Sequence, residues 1–200
     1  EDNGTFYPKI TFLKDIPIRI SPTEYEIKNG ILIPGHRILP FHPTGAPVDY
    51  VSLTYKNQAV KTRKIELQMR DLQIYFSLMD LQKLPILNIE DLLEDGADLH
   101  IQVCDLKKFY KENDFKLGDT IVLRSVDFDK GLFSMDFDSY EDTQTHIFEI
   151  RKIDRLFLNT LKKILEKDIY FPNVEKQLLY TYFQLTEIEW NRPGTAIGPL

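Results

Sequence analysis

Residues 115–138, FKLGDTIVLRSVDFDKGLFSMDFD, constrain the fold of this chain more than any other stretch. Gly118-Asp119 makes one break and Asp129-Lys130-Gly131 a second. Glycine accepts backbone conformations closed to other residues, and aspartate bonds its own backbone, so both breaks read as turns. Between them, Thr120 to Phe128 is rich in β-branched and apolar side chains, as strands are. Beyond the second break, Leu132, Ser134 and Asp136 alternate with Phe133, Met135 and Phe137, a period of two with one apolar face. A lone hairpin is marginal in water, so the remainder of the chain has to supply a sheet for this one to join.

The preceding residues supply candidate strands. Residues 5–20 read as extended: Pro8 and Pro17 exclude helix, and Ile16, Ile18 and Ile20 alternate with Pro17 and Arg19. Proline places such a strand at a sheet edge. Ser21 to Glu24 reads as a turn or a single helical turn, and Ile31–Ile33 and Arg37–Phe41 as strands on either side of Pro34-Gly35. Residues 40–47, with three prolines and a glycine, predict a stiff irregular connection. Val48–Tyr55 and Val60–Met69 read as two strands joined through Lys56-Asn57-Gln58.

The period then changes. Leu72, Tyr75, Phe76 and Met79 stand at i, i+3, i+4 and i+7, which predicts a helix over 70–81. A short second helix is expected after Asn88, so that inserted helices occupy 70–94. Asp98–Asp105 reads as a strand and Leu106–Glu112 as a short helix. After the hairpin, Ile147–Lys167 sets Ile150, Ile153, Phe157, Leu161, Ile164 and Leu165 on one side and Arg151, Lys152, Arg155, Lys162, Lys163 and Lys167 on the other. Phe171-Pro172 ends that helix. Asn173 is placed to cap a last one reaching about Glu187, which buries Leu178, Leu179, Tyr182, Phe183 and Leu185. The expected organisation is a β-rich domain over 1–142, a helical segment over 143–190 and a linker or tail over 191–200.

Composition excludes several function classes. Net charge is −6 and the pI about 5.3. Residues 1–100 hold 11 basic and 14 acidic side chains and residues 101–200 hold 14 and 17, so neither half is the basic domain that marks most nucleic-acid binders. The single cysteine, Cys104, excludes an internal disulfide and a thiolate zinc site, and suits a reducing compartment. No apolar run approaches the roughly 20 residues that cross a bilayer, and a cytoplasmic location is expected. The chain starts at Glu1 and ends in RPGTAIGPL, as expected of a piece of a longer protein.

No nucleotide-binding glycine motif, HExxH, GxSxG or CxxC is present. The weak catalytic candidates are His36, His42 and Asp49, with Arg37 between the histidines. Two imidazoles and a carboxylate serve metal binding or acid–base chemistry if the proline-rich loop brings them together; otherwise they are unrelated loop residues. Asp127-Phe128-Asp129-Lys130-Gly131 has glycine fifth, where a calcium loop needs it sixth, so these acids read as turn residues. The binding candidates are Arg37 and the cations Arg151, Lys152, Arg155, Lys162 and Lys163, which suit an acidic protein surface, phosphates or anionic lipid.

Leu117-Gly118-Asp119-Thr120-Ile121-Val122-Leu123, with the acidic turn and Leu132-Phe133-Ser134-Met135 after it, resembles part of a small oligonucleotide-binding-type barrel over about one eighth of the chain. The resemblance implies a barrel-like sheet and single-stranded nucleic acid as ligand. The overall expectation is an α+β fold: a mostly antiparallel sheet, open or barrel-like, with short inserted helices and a two-helix C-terminal segment. Strand and helix patterns come in blocks, not in regular alternation. The expected function is a non-enzymatic interaction module within a larger protein or assembly, with a protein partner, no metal and no cofactor. The alternatives are a nucleic-acid-binding protein using a small barrel and the basic helix, and a metal-dependent enzyme using His36, His42 and Asp49.

Overall fold

The computed structural model describes residues 13–14, 16–43, 45–47, 49–78, 98–166 and 173–185. Its strands are β1 (Ile18–Ile20), β2 (Ile31–Leu32), β3 (Ser52–Tyr55), β4 (Gln58–Ala59), β5 (Thr62–Gln68), β6 (Asp98–Asp105), β7 (Thr120–Asp127) and β8 (Leu132–Asp138). Its helices are α1 (Glu24–Asn29), α2 (Met69–Phe76), α3 (Lys107–Glu112), α4 (Tyr140–Thr145), α5 (Ile147–Leu165) and α6 (Val174–Gln184), with a 3₁₀ helix at Gly35–Ile38. The helix expected after Asn88, the extended backbone expected before residue 13 and the tail expected over 191–200 lie outside the described residues.

The β7–β8 hairpin forms where the sequence predicts it, with Ile121 opposite Phe137 and Leu123 opposite Met135. Its alternation decides its faces: Phe133 and Met135 are buried and Asp136 is exposed. A register shift between Ser125 and Asp127 leaves the exposed Val126 as a bulge. The hairpin is the centre of a five-stranded sheet of order β1-β7-β8-β3-β4. β1 lies antiparallel on β7, and β3 lies parallel to β8. A second, antiparallel sheet has the order β2-β6-β5.

The fold is α+β, and among the described residues neither sheet closes into a barrel. A closed barrel needs β4 to reach β1. Instead the chain leaves β4 at Ala59 and enters β5 in the other sheet, where the Asp105 amide donates to the Lys61 carbonyl at 2.8 Å. The expected pairing of two long strands across residues 56–58 is therefore replaced by a short hairpin. Lys56 and Asn57, both at positive φ, form its two-residue turn.

Residues 37–41 are not the strand their sequence suggests. Gly35, at φ +52°, starts the 3₁₀ helix, and a Cβ there would stand 2.1 Å from the Tyr75 carbonyl oxygen. Only glycine lets this turn seat on α2. Helix α1 opens with a capping box in which Thr23 Oγ1 accepts from the Glu26 amide and the Glu26 carboxylate accepts from the Thr23 amide. Glu26 is fully buried, so the same carboxylate also takes the Ile33 amide at 2.7 Å and two Arg37 nitrogens at 3.2 and 2.6 Å.

The main core joins the five-stranded sheet to the helices. Ile18, Ile20, Leu53, Ile121, Leu123 and Phe133 share it with Phe109 of α3, Phe157 of α5 and Tyr182 of α6. A smaller core under the second sheet holds Ile31, Ile33, Tyr75, Phe76, Ile101 and Val103. Asn173 caps α6 as its sequence position predicts, accepting from the Lys176 amide at 3.0 Å. Along α5 the buried residues are Ile150, Phe157 and Ile164, seven apart, with Ile153 and Leu161 half-buried. Leu165, expected inside, is 58% exposed. In α6, Leu178 and Tyr182 are buried, as is Leu185 just past its end, while Leu179 and Phe183 are only half covered. Helix α4 spans the expected boundary at residue 142, and Phe157 and Tyr182 share the sheet's core.

Candidate functional site

The three residues of the proline-rich region occupy different local settings. His36 is buried in the 3₁₀ helix, and its Nδ1 has no hydrogen-bond partner among the described residues. Burial, aided by the neighbouring Arg37 charge, holds its imidazole below the ordinary value of 6.5. His42 is buried with Nδ1 3.0 Å from the Pro43 carbonyl oxygen and Nε2 2.9 Å from that of Pro47. The ring thus bridges the loop it belongs to. Asp49 accepts from the Gln102 amide at 2.9 Å and ties the end of the loop to β6. No group of three His, Cys, Asp or Glu side chains among the described residues is placed to hold a metal ion.

Arg37 is also committed within the fold. Its side chain is 9% exposed, and it spans Glu26, the Ser21 and Ile33 carbonyls and the face of the Tyr75 ring, 5.5 Å from the centroid. A cation so buried and so fully bonded organises the structure around it. Burial pushes the Cys104 thiol up to about 12, which keeps it protonated and unreactive. The acids after the hairpin serve turns: Asp127 accepts from the Lys130 amide and pairs its ammonium at 2.8 Å. Buried Asp119 accepts from the Lys116 and Tyr140 amides and so ties the turn before β7 to the start of α4.

The outer face of α5 is different. Arg151, Lys152, Arg155, Lys162 and Lys163 are all exposed on its 19 residues, a length of about 28 Å. Lys162 has Glu166 3.8 Å away, and none of the other four has a carboxylate within 4 Å among the described residues. Apolar groups lie beside the cations. Phe148 is 83% exposed, Leu158 and Leu165 flank one side of the basic stripe and Leu156 the other. The helix is anchored from behind. Phe157 contacts Tyr182 at a ring separation of 4.8 Å, and Asp154 pairs with Arg19 of β1 at 3.4 Å. Phe148, Leu156 and Leu158 sit outside the helical stripe that periodicity picks out, and Leu165, which falls within it, is exposed all the same.

A second basic feature escapes sequence reading altogether. A cleft of about 1050 Å³ opens between the β3–β4 hairpin and α3. Lys56, Lys61, Lys107, Lys108 and Lys111 line it, opposed by Asp105 and Glu112, with Val60 and Leu106 in its floor. Its lysines come from segments some fifty residues apart, and no local pattern joins them. No helix among the described residues is long and apolar enough to cross a membrane. Comparison of the chain with protein-family models, with curated proteins and with solved structures finds no match.

Proposed function

We propose that this chain is a non-enzymatic interaction module that holds an acidic protein surface against the outer face of α5. The observation that carries the reading is the combination on that helix of exposed cations, an exposed Phe148 and three exposed leucines, with the opposite face fixed in the core. Arginine and aromatic side chains carry a disproportionate share of binding energy at protein interfaces, and a pre-positioned helix loses little entropy on docking. The partner supplies carboxylates facing Arg151, Arg155 and Lys162 and an apolar seat for Phe148. The balanced, acidic composition disfavours nucleic acid, because the rest of the surface repels phosphates. The enzyme reading has no comparable support, since His42 and Asp49 are engaged in separate loop contacts and His36 is buried in the 3₁₀ helix.

Cross-linking mass spectrometry on the complex captured from native lysate tests this. Amine-reactive cross-links are expected from Lys152, Lys162 and Lys163 to an acidic protein that Arg151→Glu/Arg155→Glu no longer retains. Retention of the same protein by the double variant, or material released only by nuclease, would overturn it.

A further inference from the structure

We infer that the lysine-lined cleft between the β3–β4 hairpin and α3 is a second binding site, which takes an extended acidic segment of a protein. Five ammonium groups face two carboxylates there, in a chain whose net charge is −6. Both carboxylates are already engaged. Glu112 pairs with Lys108 at 3.5 Å, and Asp105 accepts from the Lys107 amide at 3.2 Å with Arg63 4.0 Å away. Lys56, Lys61, Lys107 and Lys111 have no carboxylate within 4 Å among the described residues.

Local physics does not favour this placement. Lys107 and Lys108 open α3, where the helix dipole repels cations, and Lys107 and Lys111 are like charges four apart. Departures of this kind from local preference concentrate at functional sites. An anion in the cleft relieves both.

The cleft also favours an extended peptide over the other polyanions. β4 is the outer strand of its sheet. Tyr55 pairs with Gln58 beside the two-residue turn, and the Val60 amide donates to the Leu53 carbonyl. By the alternation of antiparallel pairing, Ala59 between them turns its N–H and C=O outward, on the cleft side. An added chain finds one backbone rung there, an apolar floor for alternate side chains and ammonium groups for its carboxylates. Single-stranded nucleic acid needs exposed aromatic faces. Here Phe109 is 4% exposed, and the Lys56 ammonium stands 4.7 Å over the Tyr55 ring.

The cleft and α5 lie toward opposite edges of the five-stranded sheet, β4 against β1, so the two sites are tested apart. The probe is a fluorescein-labelled decapeptide of alternating Glu and Leu, read by anisotropy against the whole chain, with oligothymidylate of equal length as the second arm. Saturable binding is expected to weaken about tenfold or more in Lys107→Glu/Lys111→Glu and in Lys56→Glu/Lys61→Glu, variants on opposite walls of the cleft. It is expected to weaken with salt and to be unchanged in Arg151→Glu/Arg155→Glu. All these side chains are exposed, so circular dichroism is expected to match the parent. Absence of peptide binding, binding by either cleft variant as tight as the parent's, or tighter binding of the oligonucleotide would overturn the inference.

Discussion

Glu26 shows how one side chain can hold three pieces of this fold. Its carboxylate caps α1, receives the Ile33 amide and balances Arg37 with no solvent contact. Removing one partner of a buried pair strands the other charge, so Arg37→Ala is expected to lower unfolding free energy by about 3–5 kcal/mol, read by urea denaturation. Glu26→Gln/Arg37→Met is expected to recover part of that loss; a drop below about 1 kcal/mol for Arg37→Ala would remove the pair from this role. His36 supplies a pH signature. Its folded-state value lies below 6.5, where the unfolded imidazole titrates, so between the two the unfolded chain binds the extra proton. Stability is therefore unaffected above about pH 6.5 and falls as pH drops toward the folded value. Denaturation midpoints of His36→Gln are expected to show a shallower acid decline than the parent, and parallel curves would contradict this. The sequence marks Arg37 only as a cation between two histidines; that it is buried depends on a carboxylate eleven residues away. The capping-box spacing of Thr23 and Glu26 is visible locally, but the carboxylate's second role is not.

At the scale of elements, legibility follows the range of the contacts. The β7–β8 hairpin, the α5 period and the Asn173 cap rest on neighbours in sequence, and all three appear, with Leu165 at the end of α5 the exposed exception. Asn173→Ala is expected to cost about 1 kcal/mol, measured as a lower thermal midpoint with α6 amides exchanging faster than those of β7; uniform exchange changes would contradict a local cap. The parallel β3–β8 pair and the β5–β6 pair join distant segments, so alternation along each strand says nothing about its partner. The connection at Lys56-Asn57 is read from the sequence, but its tightness is not: both residues take positive φ without the glycine that usually announces such a turn.

The whole molecule sets its charge against its average. A net-acidic chain carries one basic helix face and one lysine cleft, toward opposite edges of the five-stranded sheet. Of these the helix face is readable from periodicity alone, because its cations recur on one side of a single element. The cleft is assembled by topology and has no local signature. The role assigned to α5 separates binding from folding in a way one residue can expose. Phe157 fills the core and Phe148 is 83% exposed, nine residues earlier on the same helix. The decisive measurement is the affinity of the captured acidic partner, by titration calorimetry, for the parent and for Phe148→Ala and Arg151→Glu/Arg155→Glu, with thermal midpoints alongside. Phe148→Ala is expected to weaken binding by about 1–2 kcal/mol and the charge reversal by more, with thermal midpoints unchanged. Undiminished affinity in both variants, with folding intact, would contradict the assignment of α5 as the binding face.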